Sequence, residues 1–150
     1  MKYRIATISD CEELTAIRMQ MRKELDSDFN SELIYAETLD FFKRNIENGT
    51  HIAFVCEHDR QMIATVGITL FEIMPTTEHP NGKAARLMNM YVEPLYRGKG
   101  IAKELLNRVM AYAVEHQIGK VVLNPSPMGK LLYEDYGFQL LPDEYAFYLH

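Results

Sequence analysis

The chain has 150 residues, 47% hydrophobic and 25% charged, with 16 Lys and Arg against 21 Asp and Glu. A core of that size buries about 70% of the unfolded surface without disulfides or a structural metal, so residues 1–150 are expected to form one domain. The net charge of −5 opposes a general nucleic-acid surface, which needs a broad cationic excess. Nowhere does the sequence approach the roughly 18 apolar residues of a bilayer span, and the N-terminus lacks an apolar leader, so no membrane partner is expected. Two cysteines, Cys11 and Cys56, lie outside Cys-x-x-Cys spacing. They exclude a disulfide scaffold and a Cys-ligated zinc site, and they suit a reducing, cytoplasmic setting.

Residues 3–8 read as a short strand, and Ser9-Asp10-Cys11-Glu12 has the Ser-x-x-Glu spacing of a capping box. The helix that follows carries Leu14, Ile17, Met21 and Leu25 on one face. Arg18, Arg22 and Lys23 form a basic strip on it, read as a solvated face, and the acidic run Glu24, Asp26 and Asp28 comes next. Leu39, Phe42 and Ile46 mark a second helix that stops at Asn48-Gly49. His51 to Glu57 and Gln61 to Glu72 are rich in Ile, Val, Phe and Thr, and the short His58-Asp59-Arg60 between them predicts a hairpin. Pro75 to Lys83 holds two prolines and Asn81-Gly82 and reads as an irregular loop.

A strand over Ala84 to Val92 ends at Pro94. From Ile101, the positions Leu105, Leu106, Val109 and Ala113 give a helical period up to Gly119, and a strand over Lys120 to Asn124 follows. Pro125 and Pro127 break the chain, a short helix runs to Tyr136, and Gly137 turns it into closing strands over Phe138 to Leu141 and Tyr145 to Leu149. The expected order is β-α-α-β-β-β-α-β-α-β-β, an α/β chain with a central mixed sheet. Tyr145, Phe147 and Tyr148 in the last strand are placed to extend that sheet across a homodimer, or else to fill an intramolecular core.

The segment that carries chemistry is Tyr91-Val92-Glu93-Pro94-Leu95-Tyr96-Arg97-Gly98-Lys99-Gly100-Ile101-Ala102, a strand that ends in a glycine-containing basic loop opening onto a helix. Unpaired N–H groups at a helix N-terminus, aligned with the macrodipole and approached closely at glycines, form an anion site. Arg97, Lys99 and Lys103 add local positive charge. A P-loop is excluded because no Gly-x-x-x-x-Gly-Lys-Ser/Thr occurs, and a dinucleotide fingerprint fails because Lys103 stands where its third glycine belongs. The five histidines are scattered, and Glu115-His116 lacks a second histidine at helical spacing, so no metal is expected. Cys56 lies within an apolar strand with no paired histidine, which makes it a core residue rather than a nucleophile.

Arg97-Gly98-Lys99-Gly100-Ile101-Ala102 resembles the Gln/Arg-x-x-Gly-x-Gly/Ala signature of the GCN5-related N-acetyltransferase (GNAT) superfamily. Leu132-Tyr133-Glu134-Asp135-Tyr136-Gly137-Phe138 looks like its Leu-Tyr-Glu-x-x-Gly-Phe element. The element order is also the family's, so the resemblance covers nearly the whole chain and implies a mostly antiparallel sheet flanked by helices. It implies acetyl-CoA as co-substrate, with the N–H groups of Arg97, Gly98, Lys99, Gly100, Ile101 and Ala102 cradling the pyrophosphate. Pantetheine would lie against Met90, Tyr91 and Val92, with Asn124 on the facing strand, and a backbone N–H of that stretch would meet the oxyanion. Tyr133 stands where the family often places the tyrosine that serves the departing thiolate, while Ser126 reads as a cap.

The resemblance further implies direct attack by a primary amine of a small molecule. Rival readings are a protein N-terminal or lysine acetyltransferase and a non-catalytic acyl-CoA sensor. For the base, Glu32, Glu72, Glu78 and His79 qualify by type and nothing in their spacing chooses, while Asn89 and Met90 offer no carboxylate where the family often has one. Met19, Met21 and Phe29 are placed to line an acceptor pocket, and the run from Glu24 to Asp28 points to a cationic acceptor.

Overall fold

The computed structural model describes residues 1–149. In chain order it contains β1 (Lys2–Ile5), α1 (Cys11–Leu25), α2 (Ser31–Glu47), β2 (His51–His58), β3 (Gln61–Glu72), β4 (Lys83–Val92), α3 (Ile101–Glu115), β5 (Lys120–Val122) and α4 (Lys130–Tyr136), with short 3-10 turns at Ile8–Asp10 and Pro94–Tyr96. The five strands lie in sequence order. Neighbours from β1 to β4 pair antiparallel, and β4 with β5 parallel. It is a mixed, mostly antiparallel α/β sheet flanked by helices.

Both faces of β2 and β3 are covered, which explains why they read as near-continuous apolar runs instead of alternating ones. One face packs Ile52, Phe54, Val66, Ile68 and Leu87 against Ile101, Leu105, Leu106 and Val109 of α3. The other packs Ala53, Val55 and Met62 against Leu14 and Ile17 of α1 and Phe42 of α2. The hairpin closes through Asp59 and Arg60, both at positive φ (50° and 63°), the geometry of a tight two-residue turn.

The start of α1 lies later than the Ser9 capping box implies. Thr7 N donates to Asp10 Oδ2 at 2.7 Å, closing a 3-10 turn before the α-helix begins at Cys11. Asp10 is held there because Arg4 forks onto both its oxygens at 2.7 and 2.8 Å, which also keeps its carboxyl below the usual range. At the other end, the closing strands expected over 138–141 and 145–149 do not form. Alternating apolar residues need an open ladder edge, and β5 is only three residues long before Asn124-Pro125 turns away. Leu140, Tyr145, Phe147 and Leu149 are exposed, and the tail touches the sheet through Glu144, 3.8 Å from Arg86.

His51 is buried at the start of β2, edge-on to Phe41 and Phe42, with Nδ1 2.8 Å from Thr69 Oγ1 and no partner for Nε2 among the described residues. Its ring fits because the residue beside it is Gly67, where a Cβ would lie 2.6 Å from Nε2. Burial, helped by the charge of Arg18, pushes the His51 pKa down to about 4. Between pH 6.5 and 4 the unfolded chain therefore binds the proton and the folded chain does not, so stability falls as the pH drops through that window. Urea denaturation should show a loss of about 3 kcal/mol from pH 7 to pH 4 assignable to this residue, and His51→Gln should remove that part of the slope.

Candidate active site

β4 and β5 are paired only at Ala84, Ala85 and Arg86, facing Lys120, Val121 and Val122. Beyond Arg86 they separate. On the β5 side, Pro125 and Pro127 cannot sustain a ladder. On the β4 side, Asn89 at φ 57° inserts a bulge: Gly67 faces Met88 and Thr65 faces Tyr91, so Asn89 and Met90 share Val66 as their partner. Arg18 of α1 donates to Asn89 Oδ1. A cleft of about 800 Å³ opens along β4 from Leu87 to Val92, walled opposite by the 123–129 segment and by Leu132 and Tyr133 of α4.

The cleft ends at the turn before α3. Gly98 (φ 76°) and Gly100 (φ 81°) adopt left-handed backbone, and no atom lies within 4 Å of where a Cβ would sit on either. A ligand can therefore approach the free N–H groups of the first helical turn, at the positive end of the dipole. Glu24 of α1 ties this turn down: Tyr91 OH donates to its Oε1 at 2.6 Å and Arg97 Nη2 to its Oε2 at 2.8 Å. Arg97 Nε also donates to Val92 O at 2.7 Å, and its guanidinium lies 5.3 Å from the centre of the Tyr91 ring. The two hydrogen bonds hold the Glu24 carboxyl below its usual range, while burial, reinforced by Glu24, raises the Tyr91 hydroxyl. Glu24, grouped by sequence with an acidic run facing the acceptor, thus spends its charge on the loop.

Of the residues expected to bind the co-substrate, Met90, Tyr91, Val92, Arg97, Gly98, Gly100, Ile101, Ala102 and Asn124 line the cleft. Lys99 does not, and its ammonium instead lies 5.4 Å from the centre of the Tyr96 ring. The side chains of Tyr91 and Ile101 are buried in the two cores, so these positions present main chain to the cleft. Asn124 Oδ1 accepts from Arg86 Nη1 at 2.9 Å. Tyr133 lines the cleft yet is only 6% exposed; its ring packs edge-on against Phe138, and burial alone pushes its pKa up to about 12. Ser126 Oγ accepts from Gly129 N at 3.2 Å, capping the turn into α4.

A second cavity of about 450 Å³ lies on the α1–α2 side, between Phe41 and Phe42 of α2, Thr69 and Phe71 of β3, and Met88 of β4. It meets the cleft at the bulge, since Arg18, Arg86, Met88 and Asn89 line both. Sequence reasoning missed this role for Arg18, taking it as part of a solvated strip, because only the tertiary packing turns it inward. Met21 lines the cleft, whereas Met19 is buried and Phe29 packs under Arg22, 5.7 Å from its guanidinium. Glu32, Glu72, Glu78 and His79 line neither cavity. His79 is a structural residue, its Nε2 2.7 Å from Lys83 O. Cys11 and Cys56 are buried free thiols, both raised in pKa by burial. Among the described residues no three His, Cys, Asp or Glu side chains gather closely enough to hold a metal ion, and no helix is long and apolar enough to cross a membrane.

The profile of the Acetyltransferase (GNAT) family matches residues 18–138, the span from Arg18 to Phe138 that encloses both cavities. The chain belongs to this family. It is 31% identical over 113 residues to N-acetyltransferase 8B of Rattus norvegicus, covering 73% of this chain and 49% of that protein. It is 32% identical over 80 residues to human N-acetylaspartate synthetase, covering 51% of this chain and 26% of that protein. The chain thus spans about half and about a quarter of these relatives' lengths. A protein from Clostridium acetobutylicum described as a predicted acetyltransferase, solved with acetyl-CoA, superposes with a TM-score of 0.88 at 30% identity, over 98% of this chain and 95% of that one. A GCN5-related N-acetyltransferase from Ralstonia eutropha gives 0.88 at 26% identity, over 99% and 97%.

Gly100→Val tests the turn. A β-branched residue at positive φ is strained by about 1–2 kcal/mol, and its side chain would occupy the space above the N–H groups. We expect the calorimetric Kd for acetyl-CoA to rise at least about tenfold; unchanged affinity would place the phosphates elsewhere.

Proposed function

We propose that the chain transfers the acetyl group of acetyl-CoA to the primary amine of a small molecule by direct attack in a ternary complex. The observation that carries this reading is the meeting of the two cavities at the Asn89 bulge. With pyrophosphate at the turn from Arg97 to Ala102 and pantetheine along Met90, Tyr91 and Val92, the thioester reaches the junction, where an acceptor in the second cavity meets it. The name of one relative, N-acetylaspartate synthetase, is that of a small-molecule product and supports an acceptor of that size.

The chemistry places three demands on the site. The acceptor, with a reference pKa near 10.4, must lose a proton before its lone pair attacks. Of the carboxylates lining the cavities, Glu24 is bound to Tyr91 and Arg97, which leaves Glu37 of α2 on the acceptor side. As the C–N bond forms, the carbonyl oxygen gains charge, and a backbone N–H freed where β4 leaves its ladder receives it. As the C–S bond breaks, the Tyr133 hydroxyl hydrogen-bonds to the thiolate. Full proton transfer from a phenol at about 12 to a thiolate with a reference pKa of about 8.5 is uphill by about 5 kcal/mol, so Tyr133 donates a hydrogen bond and keeps its proton.

A protein or peptide acceptor is the second reading, and one observation favours it. The loop between β3 and β4 folds back on the α3–β5 connection, with Asn81 Nδ2 donating to Gln117 O at 2.7 Å, and lines neither cavity. Thiol release from acetyl-CoA with a panel of small amines and of peptides bearing free N-termini or lysines separates the two, and turnover with peptides alone would replace the first reading by the second. Tyr133→Phe should lower kcat about 10- to 100-fold, the worth of a hydrogen bond to a charged group, with the acetyl-CoA Kd within about twofold of the parent. An unaltered kcat would remove Tyr133 from the chemistry.

A further inference from the structure

Arg18 is the unusual residue of the second cavity. It rises from the middle of α1, half-buried, and among the described residues its only hydrogen bond is to the neutral Asn89 side chain. Among the described residues no carboxylate lies within ion-pair distance of it. Burial, with Arg22 nearby, makes its charge costly to hold, and a guanidinium with most of its N–H fork unused is stabilised by an anion of matching shape. A second guanidinium, Arg86, lines the same cavity, and its Glu144 contact at 3.8 Å is loose. The other walls include the apolar Phe41, Phe71 and Met88, and Glu37 supplies the one carboxylate.

From this arrangement we infer that the acceptor is an amino carboxylate, its carboxylate held by Arg18 with Arg86 beside it, its amine at the Asn89 bulge and an apolar side chain against Phe41 and Phe71. The inference rests on the acetyltransfer reading and makes the acceptor zwitterionic, where the acidic run suggested a simple cation. Glu37 has the sign that the acceptor's ammonium requires before deprotonation.

Matched acceptors test it without any variant. Leucine, leucinamide and isoamylamine share one apolar side chain and differ in the carboxylate, and O-phosphoethanolamine against ethanolamine asks whether a phosphate serves as well. Each is assayed by thiol release with acetyl-CoA and, independently, by calorimetric titration into the CoA-saturated protein. We expect kcat/KM and affinity for leucine to exceed those for leucinamide and isoamylamine by about 10- to 100-fold, the worth of a charge-assisted fork. Arg18→Gln should abolish the preference by raising KM for leucine to that of leucinamide, and Arg18→Lys should restore part of it. Turnover that is equal across the series, or best with isoamylamine or a diamine, overturns the carboxylate site and leaves acetyltransfer standing. A phosphate preferred over a carboxylate overturns the amino-carboxylate assignment. Preferential binding of leucine without turnover keeps the site and removes the catalytic reading, and neither binding nor turnover removes both.

Discussion

A single strained residue in β4 organises the functional half of the molecule. Asn89 holds left-handed backbone in the middle of a strand, a conformation that costs a non-glycine residue about 1–3 kcal/mol and is tolerated best by Asn and Asp. The strain is held by Arg18, whose hydrogen bond fixes the Asn89 side chain, and by the ladder with β3 that resumes at Tyr91. The bulge gives the outer half of β4 a free edge facing the cleft, and it sets the junction of that cleft with the second cavity.

Two stretches distant in sequence, the end of α1 and the segment from β4 into the turn, are bound together around that edge. Glu24, at the end of α1, accepts from Tyr91 of β4 and from Arg97 of the turn, so the helix that borders the cleft also fixes the turn before α3. Arg97, whose charge reads from sequence as free for an anion, is instead committed to a carboxylate and a carbonyl. In the proposed complex, attraction for the pyrophosphate would be left to the backbone N–H groups and to Lys103, which lines the cleft. Recognition of this kind depends on backbone shape more than on side-chain charge, which is consistent with an anion site on a chain of net charge −5.

What was legible in sequence was local. The turn from Arg97 to Ala102, the helix after it and the element from Leu132 to Phe138 are contiguous, and their meaning lies in spacing alone. The cores of β2, β3 and α3 were equally plain, because burial on both faces leaves an unbroken apolar record. Asn89 stands out in the sequence only for lacking a carboxylate, since a residue's φ is not written in its type. Arg18 sat on a helix among other basic residues, and only the packing of α1 over β4 separates it from Arg22 and Lys23. The tail from Phe138 to Leu149 alternates like a strand but has no edge to join, because strand formation is a property of the pair and not of the segment.

The parting of β4 from β5 also bears on how long the folded chain persists. Only three residue pairs join these strands, so the sheet has a seam down one side. A co-substrate lying in the seam, as proposed above, would bind the folded chain and not the unfolded one. By mass action, a concentration one hundred times its Kd adds about 2.7 kcal/mol to stability. On the proposed activity, the supply of acetyl donor would govern the lifetime of the catalyst as well as its rate, and scarcity of the donor would thin the population of folded chain.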